Sequence, residues 1–225
     1  MQNQSTAFDP LAADAAHLVR TAGDDELLSL VGDLEEHGRR IDALRVTAAA
    51  EVAHRSRREL ESAALSAKKG CRNASELMQR MTGASGRTVE VWLRLGKRLH
   101  GRTTLIGVEG PAEFPTVALA LIEGRLGIDK ACAIVSVLTP ALTAASLDAV
   151  AIAESALVQD APDFTADEVR IQAMVWRAAI DPDGIEPSEE RAMASRGIRL
   201  GRVRDGIVPI SGDLMPEVAG GQKRL

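Results

Sequence analysis

Four basic residues have a spacing that could bind phosphates: Arg87, Arg94, Lys97 and Arg98. At 3.6 residues per turn these positions share one face of a helix. Guanidinium and ammonium groups form charge-assisted hydrogen bonds with phosphate oxygens, and such contacts bind DNA with little sequence preference. The pattern predicts a face that contacts double-stranded DNA. The alternative interpretation is a solvated basic face on a helix that only packs in a bundle.

Other residue types give no catalytic or metal-binding pattern. The chain has four histidines and two cysteines, and none has a second ligand at metal-binding spacing: His17, His37, His54, His100, Cys71 and Cys132. Carboxylate clusters such as Asp24–Glu26 are explained by helix capping, and the glycines form no phosphate-binding loop. We therefore expect no catalytic residue, no metal, no cofactor and no small-molecule ligand, which makes an enzyme the weaker hypothesis.

The basic residues would lie on the second helix of a helix-turn-helix-like unit at 73–100. Asn73 caps the first helix, with Glu76 placed to reach back to it, and Ser85 caps the second helix after the turn at Thr82–Gly86. The opposite face of the second helix carries the residues expected to pack, namely Val89, Trp92, Leu93, Gly96 and Leu99. Gln79 argues against duplex binding, because a small residue usually stands there.

A long amphipathic helix is predicted over residues 24–60. Its apolar seam consists of Leu27, Leu34, Ile41 and Ala48, seven apart, with Leu30, Leu44 and Val52 in the intervening turns. Most of its arginines would lie off the seam. A seam of this length could pair within the fold or form a homodimer through the long helix.

The remaining pattern divides the chain into a helical domain at 1–186 and an appendage at 187–225. A short helix is predicted at 11–22 and a helical bundle at 112–180, where Thr165 and Glu168 form a capping signal and Asp181–Gly184 ends the last helix. In the appendage, alternating apolar residues around Asp205-Gly206 predict a β-hairpin at 198–210, followed by a frayed end.

Composition supports an all-α chain. The apolar residues are mostly Ala, Leu and Val, which favour helices, while Tyr is absent and only three Phe and two Trp occur. So few aromatic side chains argue against a surface that stacks single-stranded bases. The first ten residues lack a signal-peptide pattern and no apolar run could span a bilayer, so we expect a cytoplasmic protein with no membrane contact.

Charge is distributed unevenly along the chain. Residues 37–102 contain 15 Lys and Arg against 6 Asp and Glu, whereas residues 1–36 and 103–190 are acidic. The basic block could bind phosphates or dock on the chain's own acidic flanks.

An ordered set of motifs resembles domain-of-unknown-function family 222. The motifs are Ala43–Glu51, Arg57–Leu60, Ala74–Leu77 with Thr82-Gly83, Val117–Gly127, Asp181–Gly184, Arg199–Arg202, Asp205-Gly206 and Pro216–Val218. The resemblance implies the N-terminal helical region of many bacterial proteins that end in an HNH endonuclease module. No histidine follows His100, so the metal-binding His-Asn-His element of that module is absent and nuclease chemistry is assigned to no residue of this chain.

The sequence therefore predicts an all-α helical bundle with one long amphipathic helix, a helix-turn-helix-like pair and a small C-terminal β-hairpin. The leading functional hypothesis is a non-enzymatic module that positions a partner or nuclease on DNA through Arg87, Arg94, Lys97 and Arg98. The alternatives are a protein-interaction or dimerisation module built on the apolar seam, and a remnant without activity. An exposed basic face favours the first hypothesis, whereas a basic face covered by acidic helices or a second copy favours the second.

Overall fold

The computed structural model describes residues 17, 19–101, 110–182, 197–201 and 206–213. Within these ranges the chain is a helical bundle followed by a small antiparallel sheet, which confirms the predicted fold class. The α-helices are α1 (Asp24–Arg55), α2 (Leu65–Lys68), α3 (Ala74–Thr82), α4 (Gly86–Leu99), α5 (Pro115–Ile122), α6 (Ile128–Leu138), α7 (Leu147–Asp160) and α8 (Ala166–Ile180). Short 3-10 turns cover Arg58–Ala63, Thr139–Thr143 and Ala161–Asp163.

Helix α1 ends at Arg55, so the predicted end at residue 60 is wrong. Ser56 leaves the helical conformation, and the following 3-10 turn contains Glu61 at a φ of 45°. The Ser56 hydroxyl accepts a hydrogen bond from the Ser66 amide at 3.2 Å. This bond fixes a reversal of the chain, which turns α2 back instead of extending α1.

The bundle packs mainly against a face of α1 other than the apolar seam, although Val52 of the seam is half-buried against the core. Ala43, Val46 and Ala49 are the buried residues of α1, whereas Leu34, Ile41 and Leu44 of the seam are 58%, 50% and 70% exposed. The face with small residues is the one that is buried, because α4 crosses it closely. A Cβ on Gly96 of α4 would lie 2.9 Å from the Ala50 Cβ, so only glycine fits at the crossing.

The core lies among the second half of α1 and helices α3 to α8. Helix α6 is buried along most of its length, and Phe114, just before α5, is fully buried. The predicted cap of α8 is confirmed: the Thr165 hydroxyl accepts from the Glu168 amide, and the Glu168 carboxylate accepts from the Thr165 amide. In the part of the chain that the structure describes, none of the helices has the length and apolarity needed to cross a bilayer.

The C-terminal hairpin pairs β1 (Gly197–Leu200) with β2 (Ile210–Asp213), with Leu200 opposite Ile210. The predicted span of 198–210 is therefore too short at its C-terminal end. Pro209 has no N–H to donate and separates an isolated bridge at Ile207 from β2. Gly206 has a φ of 77°, as the predicted turn requires.

Several predicted features fall outside the described residues. Asp205, the frayed end and most of the 11–22 helix are among them, although residues 19–21 are helical. The domain boundary after residue 186 stays a prediction, because residues 183–196 are not described.

Candidate nucleic-acid interface

Local capping defines the α3–α4 pair. The Asn73 carboxamide oxygen accepts from the Glu76 amide at 2.9 Å, and the Ser85 hydroxyl accepts from the Thr88 amide at 3.2 Å. The Glu76 carboxylate reaches back one residue further than predicted and accepts from the Arg72 amide at 2.9 Å. Gly83 ends α3 at a φ of 70°, a left-handed conformation that favours glycine. The helix pair and its turn are where the sequence predicted them.

Gln79 does not keep the two helices apart. A Cβ on Gly86 would lie 3.4 Å from the Gln79 side-chain oxygen, so the first residue of α4 leaves room for the glutamine of α3. The small residue expected at position 79 is supplied at position 86 on the other helix.

Helix α4 is buried on a wider face than predicted. Val89, Trp92, Gly96 and Leu99 are buried as expected, but Leu95 is buried as well. Leu93 is only half-buried. The difference arises because α4 packs against α1 on one side and α6 on the other, which a single-faced helical pattern does not anticipate.

The four predicted cations divide into two groups. Arg87, Arg94 and Lys97 are exposed, and no carboxylate of the described residues lies within ion-pairing distance of them. Arg98 is half-buried and forms an ion pair with Glu113 in the segment before α5. Among the described residues, three of the four side chains are therefore available to an external anion without breaking an ion pair, whereas Arg98 would first have to release Glu113.

Many other arginines already have a carboxylate partner. The paired residues are Arg39, Arg40, Arg45, Arg55, Arg72, Arg98 and Arg125. Most of these pairs join neighbouring turns of one helix, so they are weak surface interactions. They neutralise 6 of the 15 Lys and Arg of the basic block, and among the described residues the exposed face of α4 is one of several parts of the block that keep cations without a carboxylate partner.

A groove of about 1370 Å³ lies beside the crossing of α4 with the C-terminal part of α1. Arg94, Lys97 and Arg98 line it from α4, and Arg57 lines it from just beyond α1. The Arg57 guanidinium also bonds the ring of His54 at 2.7 Å. The sequence placed Arg57 on the long helix and not in the site, whereas in the structure it follows the end of α1 and lines the groove with Arg94 and Lys97.

Acidic residues reduce the positive charge of the groove. Glu51, Glu59 and Glu90 line it. A side-chain hydrogen bond from Arg55 lowers the pKa of Glu51, so that carboxylate stays ionised. Glu90 follows Arg87 by three residues and precedes Arg94 by four. That spacing places it on the basic face, a signal the sequence contained.

Cys132 of α6 lies beside Arg94 without neutralising it. Burial raises the pKa of the Cys132 thiol, although the nearby Arg94 guanidinium acts in the opposite direction. The thiol therefore stays protonated near neutral pH and has no negative charge with which to neutralise Arg94. In the described residues no group of three or more His, Cys, Asp or Glu side chains could hold a metal ion.

Comparison with known protein families gives one match. A family model described as "Domain of unknown function (DUF222)" matches residues 28–223. The chain belongs to this family. No curated protein and no solved structure matches it. The match confirms the resemblance predicted from the sequence motifs, while the association with HNH nucleases stays a prediction.

The structure explains one of the DUF222 motifs in this chain. The turn between α5 and α6 contains Gly124 at a φ of 74°, and Arg39 of α1 donates a hydrogen bond to its carbonyl at 2.7 Å. Gly127 of the same turn lies against the aliphatic part of Arg39, and Gly124 against that of Arg40. The motif from Val117 to Gly127 thus forms the surface on which the middle of α1 rests.

Proposed function

We propose that this DUF222 chain is a non-enzymatic module that binds the phosphate backbone of double-stranded DNA. The observation that carries the proposal is the exposed face of α4, where Arg87, Arg94 and Lys97 have no carboxylate partner among the described residues. Binding phosphate breaks no internal ion pair of these three side chains, whereas the paired arginines would first have to release a carboxylate.

The dimensions of this face suit an extended polyanion. Arg87 and Lys97 are ten residues apart, about 15 Å along a helix axis. A duplex carries one charge per about 1.7 Å of its axis, so the three cations would reach different phosphates. Glu90 lies among them and repels the same phosphates, so we expect moderate affinity and a strong dependence on salt. A partner or fused nuclease would gain proximity to DNA, with little sequence selectivity.

Arg98 differs from the other three predicted cations, because it already has a carboxylate partner. Its ion pair with Glu113 ties the end of α4 to the segment that precedes α5. We therefore assign phosphate contact to Arg87, Arg94 and Lys97, with Arg57 as the cation on the opposite wall of the groove.

The test is the binding of a labelled duplex over a series of salt concentrations. The variant replaces Arg87, Arg94 and Lys97 with Gln. The matched control replaces Lys69, Arg72 and Arg125 with Gln, which removes the same positive charge outside the exposed face of α4. Each phosphate contact contributes about 0.9 to the slope of log K against log salt. We expect the first variant to reduce the magnitude of this slope by the contribution of up to about three phosphate contacts. The control should leave the slope nearly unchanged.

Two outcomes would contradict the proposal. The wild-type chain would fail to bind the duplex at low salt, or both variants would lose affinity equally, which would mean that only net charge matters. Circular dichroism of both variants checks that the fold is intact.

A further inference from the structure

Among the described residues, the N-terminal part of α1 is a helix with little support from the bundle. We call residues 24–37 the arm. In the arm only Leu27 and Leu30 are half-buried, and every other residue is exposed. An isolated helix of about this length is marginal in water, so such an arm needs a partner surface. The bundle lies on the opposite side of α1, where Arg39 and Arg40 contact the Gly124–Gly127 turn.

The exposed seam has the spacing of a coiled coil. Apolar residues alternate at intervals of three and four, and His37 takes the one position in the series that is not apolar: Leu27, Leu30, Leu34, His37, Ile41, Leu44 and Ala48. This is the heptad pattern that pairs two helices, with the first residue of each heptad at Leu27, Leu34 and Ile41. The seam faces solvent at Leu34, Ile41 and Leu44.

The charges beside the seam identify the occupant. The arm carries six carboxylates and no Lys or Arg, whereas the next nine residues of α1 include Arg39, Arg40 and Arg45. The helix is thus acidic at one end and basic towards its middle. A second copy running in the opposite direction would place each acidic arm on the partner's basic segment.

The antiparallel register follows from the seam. In such a pair the first and fourth heptad positions face each other, which sets Leu27 against Leu44, Leu30 against Ile41 and Leu34 against His37. The flanking positions then bring Asp33 near Arg40 and Asp24 near Arg45 of the other copy. A parallel pair would instead set Arg40 against Arg45, two like charges. Position 24, the first residue of α1, faces position 47 of the other copy in this register. The paired segment of each helix therefore runs from residue 24 to residue 47.

We infer that the chain forms an antiparallel homodimer through this coiled coil, with a two-fold axis near residues 35 and 36. The interface is the same surface on both copies, as two-fold symmetry requires. The intrahelical pair of Arg40 with Glu36 is exposed, so exchanging or sharing it costs little. Arg45 pairs with the half-buried Asp42 and also lies 5.8 Å from the centre of the Trp92 ring, so the contact of Asp33 with Arg40 carries the register. The inference does not depend on DNA binding by α4.

The first experiment measures molar mass by light scattering and sedimentation without nucleic acid, on wild type, Leu34→Glu and Leu28→Glu. Leu28 is 71% exposed, also lies in the arm and is off the seam, so it is a matched control. We expect wild type and Leu28→Glu to be dimers at tens of micromolar and Leu34→Glu to be a monomer with an unchanged bundle. A wild-type monomer at 100 micromolar, or a Leu34→Glu dimer, would overturn the inference.

The second experiment determines the direction of pairing by exchanging charges. Asp33→Arg alone and Arg40→Asp alone each create two like-charge contacts in the antiparallel dimer and should raise its Kd by roughly tenfold. The double variant restores both contacts with reversed sign and should return the Kd to within about threefold of wild type. Tighter association of Arg40→Asp would instead indicate parallel pairing and overturn the register.

Discussion

The two halves of α1 belong to one uninterrupted helix but have different surroundings. Residues 24–37 are mostly exposed, whereas the second half buries Ala43, Val46 and Ala49 and accepts the close crossing of α4. The larger apolar residues lie on the exposed seam, and the smaller ones lie in the core. The comparison shows that the bundle selects a face of α1 for close approach, which leaves Leu34, Ile41 and Leu44 of the more hydrophobic face exposed.

The largest expected effect comes from shortening one side chain on each of the two faces of α1, the buried face and the seam. Val46→Ala removes two methyl groups from a fully buried site and should cost roughly 2 kcal/mol of unfolding free energy. Leu34→Ala removes more apolar volume from the seam, but should change the unfolding free energy of the monomer by less than about 0.5 kcal/mol. Urea denaturation at low protein concentration measures both. A similar loss in the two variants would mean that the seam is packed within the monomer.

A smaller effect compares two glycines. Gly96→Ala places a Cβ 2.9 Å from the Ala50 Cβ and 3.0 Å from the Val46 carbonyl oxygen, so it should destabilise the fold by about 1–2 kcal/mol. Gly32→Ala in the arm meets nothing within 4 Å and should stabilise the helix by about 0.5–1 kcal/mol. The same substitution would thus have opposite signs in the two regions. Thermal unfolding of both variants tests this, and a neutral Gly96→Ala would contradict the close crossing.

The smallest effect concerns a carboxyl group inside the bundle. Glu154 of α7 is buried and accepts a hydrogen bond from the Val117 amide of α5 at 2.7 Å. Burial raises the pKa of Glu154, and hydrogen bonds from the Val117 and Thr116 amides only partly oppose this. The pKa of Glu154 is thus higher in the folded than in the unfolded protein. The contribution of Glu154 to stability is therefore complete below its unfolded pKa and is lost as pH rises through its folded pKa.

Glu154→Gln isolates that effect. The Gln amide keeps an acceptor for the Val117 amide and has no charge. The unfolding free energy of Glu154→Gln relative to wild type should therefore increase as pH rises above the unfolded pKa of Glu154. Urea denaturation at pH 5 and pH 8 measures the change, and Glu168→Gln serves as a control because Glu168 is exposed and its pKa is lowered by hydrogen bonds from Thr165. A stability difference between wild type and Glu154→Gln that stays constant with pH would contradict the shift.

The sequence by itself determined the local structure of this protein. Caps at Asn73, Ser85 and Thr165 set helix starts because their signals act within four residues, and Gly83 and Gly206 are at positive φ in their predicted turns. The family motifs could be recognised for a similar reason, because each is a short run of neighbouring residues. The basic face of α4 could be predicted because it depends only on helical spacing.

Only the tertiary structure decided which faces are covered. The choice between the small-residue face and the apolar seam of α1 depends on where Gly96 of α4 crosses it. The ion pair of Arg98 with Glu113 depends on the path of the chain before α5. Contacts between residues distant in sequence determine each of these outcomes, and helical periodicity carries no information about them, because it specifies the faces of a helix but not their partners.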